Sequence, residues 1–302
     1  MRLALSFSGS GHLVAYQFGV ARSLRRSSGS RITAWAGASA GAIAAAACSL
    51  LPSSAMDAYL EQSVLRCDAF GGLARALGVQ RPMDGEYVLP DADEAVRSLG
   101  SSSLFIGATE CRTGRSVLFS QFGSARQLVQ CLLASCAIPR SAHPFDLLRP
   151  PHRPPTYPEA FGIVVPPGHE WSPLAYGGPP SSEADEGPLP FSPHGDAYVD
   201  GGLTCALPLV PASLGLRQLS VSPISGPRGE LVSACVDGAP CEHLHVCPTD
   251  DSAKLPWVAP SLAGLRCYLS LDNLRSARVA TGAPRRVLEC LYERGLARGA
   301  LA

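Results

Sequence analysis

The hydrophobic and polar positions of the first fifty residues switch period several times. Residues Arg2 to Phe7 (RLALSF) have β character, after which Leu13, Val14, Tyr16, Val20 and Leu24 recur at helical spacing. Ile32 to Ala36 reads as a second strand, and the alanine-rich run that follows, to about Leu51, reads as a second helix. Each change from strand to helix passes through a glycine segment, Ser8-Gly9-Ser10-Gly11 in the first case and Gly37-Ala38-Ser39-Ala40-Gly41 in the second. The pattern predicts a βαβα unit with a parallel sheet. Further strands are expected at Ser103 to Thr109, Ser116 to Phe119, Ala197 to Val199 and Gln218 to Val221, and helices at Met56 to Leu77, Ala92 to Leu99 and Ser124 to Ala134. Near the end of the chain Leu269, Leu271 and Leu274, then Val287, Leu288, Leu291 and Tyr292, mark apolar helical faces. The expected fold class is α/β, a three-layer α/β/α arrangement around a mainly parallel central sheet, in one domain over residues 1–302.

One segment departs from this periodicity. Residues 144–193 hold 14 of the 27 prolines, with a small acidic cluster at Glu183, Asp185 and Glu186. Proline removes backbone donors and fixes φ, so neither regular helix nor sheet suits this stretch, and it reads as a flexible insertion within the domain, in a position to serve as a lid.

Composition narrows the functional classes. Twenty-five basic residues balance twenty-five acidic ones in a chain of 302, so no net field draws nucleic acid, and none is expected as a partner. Eleven cysteines at irregular spacing, with Met1 leading directly into a strand, point to reduced thiols and a cytoplasmic rather than secreted protein. Ala34 to Leu51 is uncharged over 18 residues but poor in Leu, Ile and Phe, which suits a buried core helix better than a membrane span.

The chemistry concentrates at the two glycine segments. Gly37-Ala38-Ser39-Ala40-Gly41 is G-x-S-x-G between a strand and a helix, the context of a nucleophile elbow; side chains in place of Gly37 or Gly41 would collide with neighbouring backbone in so sharp a turn. The amides of Gly9, Ser10 and Gly11 open the first helix beside that serine and form a candidate oxyanion hole. A phosphate loop would need Gly-Lys-Ser/Thr where His12 and Leu13 stand, and a dinucleotide site would need a small residue at Val14 and an acid near the second strand, whereas the first acid is Asp57. Tyr198-Val199-Asp200-Gly201-Gly202 places a carboxylate at a strand end followed by two turn glycines. Cys241-Glu242-His243-Leu244-His245-Val246-Cys247 resembles a zinc ligand set, but as a strand it spans about 20 Å from first to last ligand, too far for one tetrahedral ion. His12 and His143 read as packing or solvent residues. No metal and no cofactor is expected.

Taken together, the glycine loop, the serine elbow and the Asp-Gly-Gly turn resemble the patatin-like phospholipase family. Similar stretches extend through Leu5 to Leu13 with Tyr16, Gly19 and Val20, Ala134-Ser135-Cys136-Ala137-Ile138-Pro139, Ser220 to Gly226, and Leu269 to Leu274, in the manner of the animal-type branch that includes adiponutrin and adipose triglyceride lipase. The resemblance implies a Ser–Asp dyad without histidine: Ser39 as nucleophile, Asp200 as general base, the Gly9–Gly11 amides as oxyanion hole, and carboxylic esters of acylglycerols or phospholipids as substrates, met at a membrane or lipid-droplet surface. Two departures stand out, Ser10 at the family's middle glycine and Leu13-Val14 in place of Arg-Gly. Val14 is β-branched at the helix start and could crowd the elbow, which keeps open a lipid-binding scaffold without turnover. A second alternative is a Ser-His-Asp α/β-hydrolase with His243 or His245 as base, disfavoured because that fold places several strands before its elbow.

Overall fold

The computed structural model describes residues 2–26, 31–100, 103–110, 116–137, 198–224, 243–248 and 283–300. The expected insertion at 144–193, His143 and the Leu269–Leu274 block lie outside these residues.

β1 (Arg2–Phe7) leads through a short 3-10 turn (Gly11–Leu13) into α1 (Val14–Arg26), and β2 (Arg31–Ala38) leads into α2 (Ala40–Leu50). The uncharged run after Ala34 is thus the end of a strand and one buried helix; among the described residues no helix is long and apolar enough to cross a membrane. The single helix expected over Met56 to Leu77 is instead two, α3 (Ser53–Gln62) and α4 (Ala69–Ala76). Between them the chain reverses at Ser63 and at Cys67, a left-handed residue with φ 62°, and the Asp68 amide donates back to the Ser63 carbonyl at 2.9 Å. Periodicity survives this reversal because both helices bury one face against the same core, with Tyr59 and Leu60 before it and Leu73 and Ala74 after it. Then follow α5 (Ala92–Ser98), β3 (Leu104–Glu110), β4 (Ser116–Phe119), α6 (Ala125–Ser135), β5 (Tyr198–Asp200), β6 (Arg217–Val221), β7 (His243–Val246) and the last helix, α7 (Arg285–Gly299).

The sheet runs β4-β3-β2-β1-β6-β7, with β5 also paired to β3. β1, β2, β3, β6 and β7 are mutually parallel along the sheet, while β4 and β5 are antiparallel to β3. This is an α/β fold with a mixed, mostly parallel sheet. β1 at its centre is buried from Leu3 through Phe7, as a strand covered on both faces must be. Leu5, Phe7, Trp35, Leu104 and Ile106 face the main core with α1, α2 and α4, whereas Ala4, Ala34, Ala36 and Phe105 face Val210, Leu214 and Leu216 on the other side. α7 packs on α1 through small residues: a Cβ on Gly295 would overlap the Tyr16 carbonyl, and one on Gly19 the Tyr292 carbonyl.

One register decides where the functional groups meet. β3 pairs with β2 as far as Gly107 opposite Ala38, and its next residue, Ala108, pairs with Asp200 of β5. β4 already occupies the other edge of β3 over Ile106 to Thr109, so β5 continues the line that β2 leaves. Successive residues of β3 therefore hold the end of the Ser39 strand and the end of the Asp200 strand.

Candidate active site

Ser39 sits between β2 and α2 with φ 54° and ψ −133°, one of three non-glycine residues at positive φ among those described. Such a conformation costs on the order of 1–3 kcal/mol and persists only where its surroundings impose it. Here a Cβ at Gly37 would overlap the Gly41 carbonyl, and one at Gly41 would stand 2.6 Å from the Phe7 carbonyl oxygen. The Ala42 amide donates to the Ser39 carbonyl at 2.9 Å, and the Ser39 amide donates to the Ser135 hydroxyl at 2.8 Å. Ser135 in turn donates to the Gly107 carbonyl at 2.6 Å.

The first glycine loop passes over this elbow. A Cβ on Gly9 would lie 3.4 Å from Ser39 Cβ and 3.8 Å from Gly202 Cα, so the loop, the serine and the Asp-Gly-Gly turn converge on one spot. Its path is pinned by the Ser8 amide donating to the Val221 carbonyl at 3.0 Å and by buried Gln17, whose amide group donates to the Ser8 carbonyl at 2.7 Å. The Gly9 amide, expected as an oxyanion donor, instead donates to the Ala206 carbonyl at 2.7 Å. Ser10 precedes the 3-10 turn and Gly11 begins it with φ 52°, and amides at the start of a helical turn have no intrahelical acceptor. Val14, the β-branched residue singled out for crowding the elbow, is 3% exposed within the main core.

Asp200 ends β5 with 5% exposure. Its amide donates to the Ala137 carbonyl at 3.1 Å, and its own carbonyl accepts from the Thr109 hydroxyl at 2.9 Å. Of the carboxylate oxygens, Oδ1 accepts from the Gly202 amide at 2.7 Å. Gly201 is held to glycine because a Cβ there would overlap the Gly107 carbonyl. Burial drives the Asp200 pKa up to about 6, against the opposing pull of the Ser39 hydroxyl and the Gly202 amide, which favour the ionised form. Ser39 is thus close enough to act on the carboxylate, yet Oδ2 has no partner that meets full hydrogen-bond geometry. The neighbouring Cys136 thiol is pushed far above its usual range, first by burial and then by the Asp200 charge, so it stays neutral.

The strand that carries the two candidate histidines lies away from this cluster. β7, which carries His243 and His245, lies beyond β1 and β6 from β2, three strand spacings or roughly 14 Å away. His245 pairs with Ser220, which pairs with Ser6, so it also stops short of the sheet end where Ser39 sits. His12 is half-buried on the 3-10 turn. Among the described residues no three His, Cys, Asp or Glu side chains form a group that could hold a metal ion. Sequence reasoning assigned no role to Ser135, Thr109, Gln17 or the Ala137 carbonyl. Ser135 carried a faint signal as a polar residue on the apolar side of the amphipathic α6; the backbone acceptors carried none.

A mostly parallel α/β sheet thus carries a serine on a strand-to-helix elbow, with a buried aspartate and a glycine loop beside it. Residues 5–213 match the family model described as patatin-like phospholipase, and the chain belongs to that family, whose members are generally serine lipid hydrolases. It is similar to the human patatin-like phospholipase domain-containing protein 4, at 26% identity over 301 residues, 96% of this chain and 92% of the relative. Among solved structures, VipD from Legionella pneumophila aligns at 13% identity and a TM-score of 0.35, over 96% of this chain and 66% of that one.

Proposed function

We propose that this protein is a lipid acyl hydrolase that cleaves carboxylic esters of acylglycerols or phospholipids and releases fatty acid, with Ser39 as nucleophile and Asp200 as general base. The observation that carries the reading is a strained Ser39 facing a buried Asp200 whose pKa is raised to about 6. A carboxylate of that basicity is mostly ionised at neutral pH, yet accepts a proton more readily than an ordinary aspartate. Asp200 takes the Ser39 proton as Oγ attacks the ester carbonyl, and the Ser10 and Gly11 amides receive the developing oxyanion. The same proton then passes to the leaving alcohol, which departs and leaves acyl-Ser39. Water gives its proton to Asp200 and attacks the acyl group, and the fatty acid leaves as Ser39 regains its hydrogen. No metal or cofactor enters these steps. The working surface is that of a membrane or lipid droplet on the cytoplasmic side, reached peripherally.

Fatty-acid release from triolein, phosphatidylcholine and monogalactosyl lipid, compared among wild type, Ser39→Ala and Asp200→Asn, tests the reading. Release from at least one lipid that disappears in both variants supports it and identifies the substrate class. A second reading, a lipid-binding scaffold without turnover, draws on the Gly9 amide being committed to the Ala206 carbonyl. Acyl-chain binding without labelling of Ser39 by an organophosphonate would favour that scaffold.

A further inference from the structure

The last residue of α6 and the second residue beyond the helix accept hydrogen bonds from the backbone amides of the nucleophile and the base. Ser135, the last residue of the helix, is fully buried. A hydroxyl has one hydrogen to give and lone pairs to accept with. Ser135 gives its hydrogen to the Gly107 carbonyl and accepts the Ser39 amide, so its orientation is settled. Two residues further on, the Ala137 carbonyl accepts the Asp200 amide.

The placement of these bonds is informative. The β2–β3 ladder ends at Ala38 opposite Gly107, so Ser39, turned out of the strand at positive φ, has left the ladder. The Ser135 hydroxyl supplies its amide with an acceptor and ties that acceptor to Gly107, the β3 residue just before the one paired with Asp200. Residues 135–137, at and just past the end of α6, thus tie the backbones of the two residues together, alongside β3. Resting on the assignment of Ser39 and Asp200 made above, we propose that the end of α6 sets the separation of the dyad and that Ser135 is a positioning residue for acyl transfer, acting through the Ser39 backbone without touching substrate.

A buried hydroxyl that merely stabilises the fold would lower thermal stability and leave the chemistry of the folded fraction intact. A positioning hydroxyl changes the chemistry itself, since misplacing a reacting group by about 1 Å can cost roughly 100-fold. The experiment compares wild type, Ser135→Ala and Ser135→Cys, the last keeping the size and a weak hydrogen-bonding capacity. It reads the rate of Ser39 labelling by an organophosphonate ester, kcat and KM on the ester that the wild type cleaves, the pH profile of kcat and the thermal midpoint, with rates corrected for folded fraction. Ser135→Ala is expected to lower kcat and the labelling rate together by roughly 10- to 100-fold with KM nearly unchanged. Its acid limb should move to higher pH, because the Ser39 hydroxyl that favours ionised Asp200 is displaced. Ser135→Cys should recover part of the loss, and it carries the test alone if the alanine variant does not fold. Wild-type labelling rates and kcat in the folded variants overturn the positioning role and leave the dyad standing. A wild type that is not labelled at Ser39 removes the dyad assignment and this inference with it.

Discussion

At Asp200 burial acts on the proposed general base and on stability in opposite directions. Its folded pKa of about 6 lies above the ordinary 3.8, so the native state holds the proton more tightly than the unfolded chain does. Stability from this residue is therefore greatest below pH 3.8, falls as pH rises from there to about 6, and stays low above it. A shift of this size corresponds to at most about 3 kcal/mol. Asp200→Asn, which can keep the Gly202 hydrogen bond, is expected to raise the thermal midpoint near pH 8 and to match wild type near pH 4; parallel midpoint curves for the two proteins would count against a buried ionised Asp200. Activity should follow the ionised form, falling with pH through an apparent pKa of about 6, and the asparagine variant should lose roughly 100- to 10,000-fold on the plateau above that value. The Ser39 elbow was legible in the sequence because a sharp strand-to-helix turn excludes side chains at Gly37 and Gly41. The Gly9 amide was not, because its acceptor, Ala206, arrives from nearly two hundred residues away.

Between elements, the connection from α4 to α5 is fastened by charge. Arg75 of α4 donates to Glu86 through Nε at 2.7 Å and to Asp68 at 2.7 Å, and the Arg75 and Glu86 side chains are only 11% and 7% exposed. The Arg75 guanidinium holds the Glu86 carboxyl below its usual range, assisted by the Met83 amide and opposed by burial. Glu86 thus contributes stability that is fully present above the ordinary glutamate pKa and is lost as pH falls through its lowered folded value. Glu86→Ala is expected to cost about 2–3 kcal/mol at pH 7, less than a fully buried pair, because Asp68 still partners Arg75. Denaturant midpoints at pH 7 and pH 3 check this: the gap between variant and wild type should shrink at pH 3, and a gap of equal size would assign the loss to packing. Hydrophobic periodicity predicted most elements within a few residues, β3 and α6 among them, but merged α3 and α4. The reversal at Ser63 and Cys67 needs no proline and leaves the spacing of apolar residues intact, so only the packing of α4 against α2 and α3 reveals it.

For the whole molecule, α7 lies against α1, the helix that the first glycine loop leads into. Their backbones approach through Gly19, Gly295 and Gly299. Replacing glycine by alanine inside an exposed helix ordinarily stabilises by about 1 kcal/mol. At Gly295 the sign should reverse, because the added methyl overlaps the Tyr16 carbonyl; a loss of about 1–3 kcal/mol is expected from thermal or urea unfolding, against little change for exposed Glu293→Ala. A neutral or stabilising Gly295→Ala would show that the helices can part at little cost.

What the sequence determined by itself was local: the period of each strand and helix, the two glycine turns that follow β1 and β2, and the chemical types at Ser39 and Asp200. These properties depend on residues within a turn or two of one another, and covalent geometry enforces them. Which carboxylate meets the serine was decided by the tertiary structure, because β3 alone brings the ends of β2 and β5 to adjacent positions across more than 160 residues of chain. The raised pKa of Asp200, the diversion of the Gly9 amide and the seat of Ser135 are likewise tertiary, since desolvation and long-range hydrogen bonds exist only once the sheet and its helices have closed around the site.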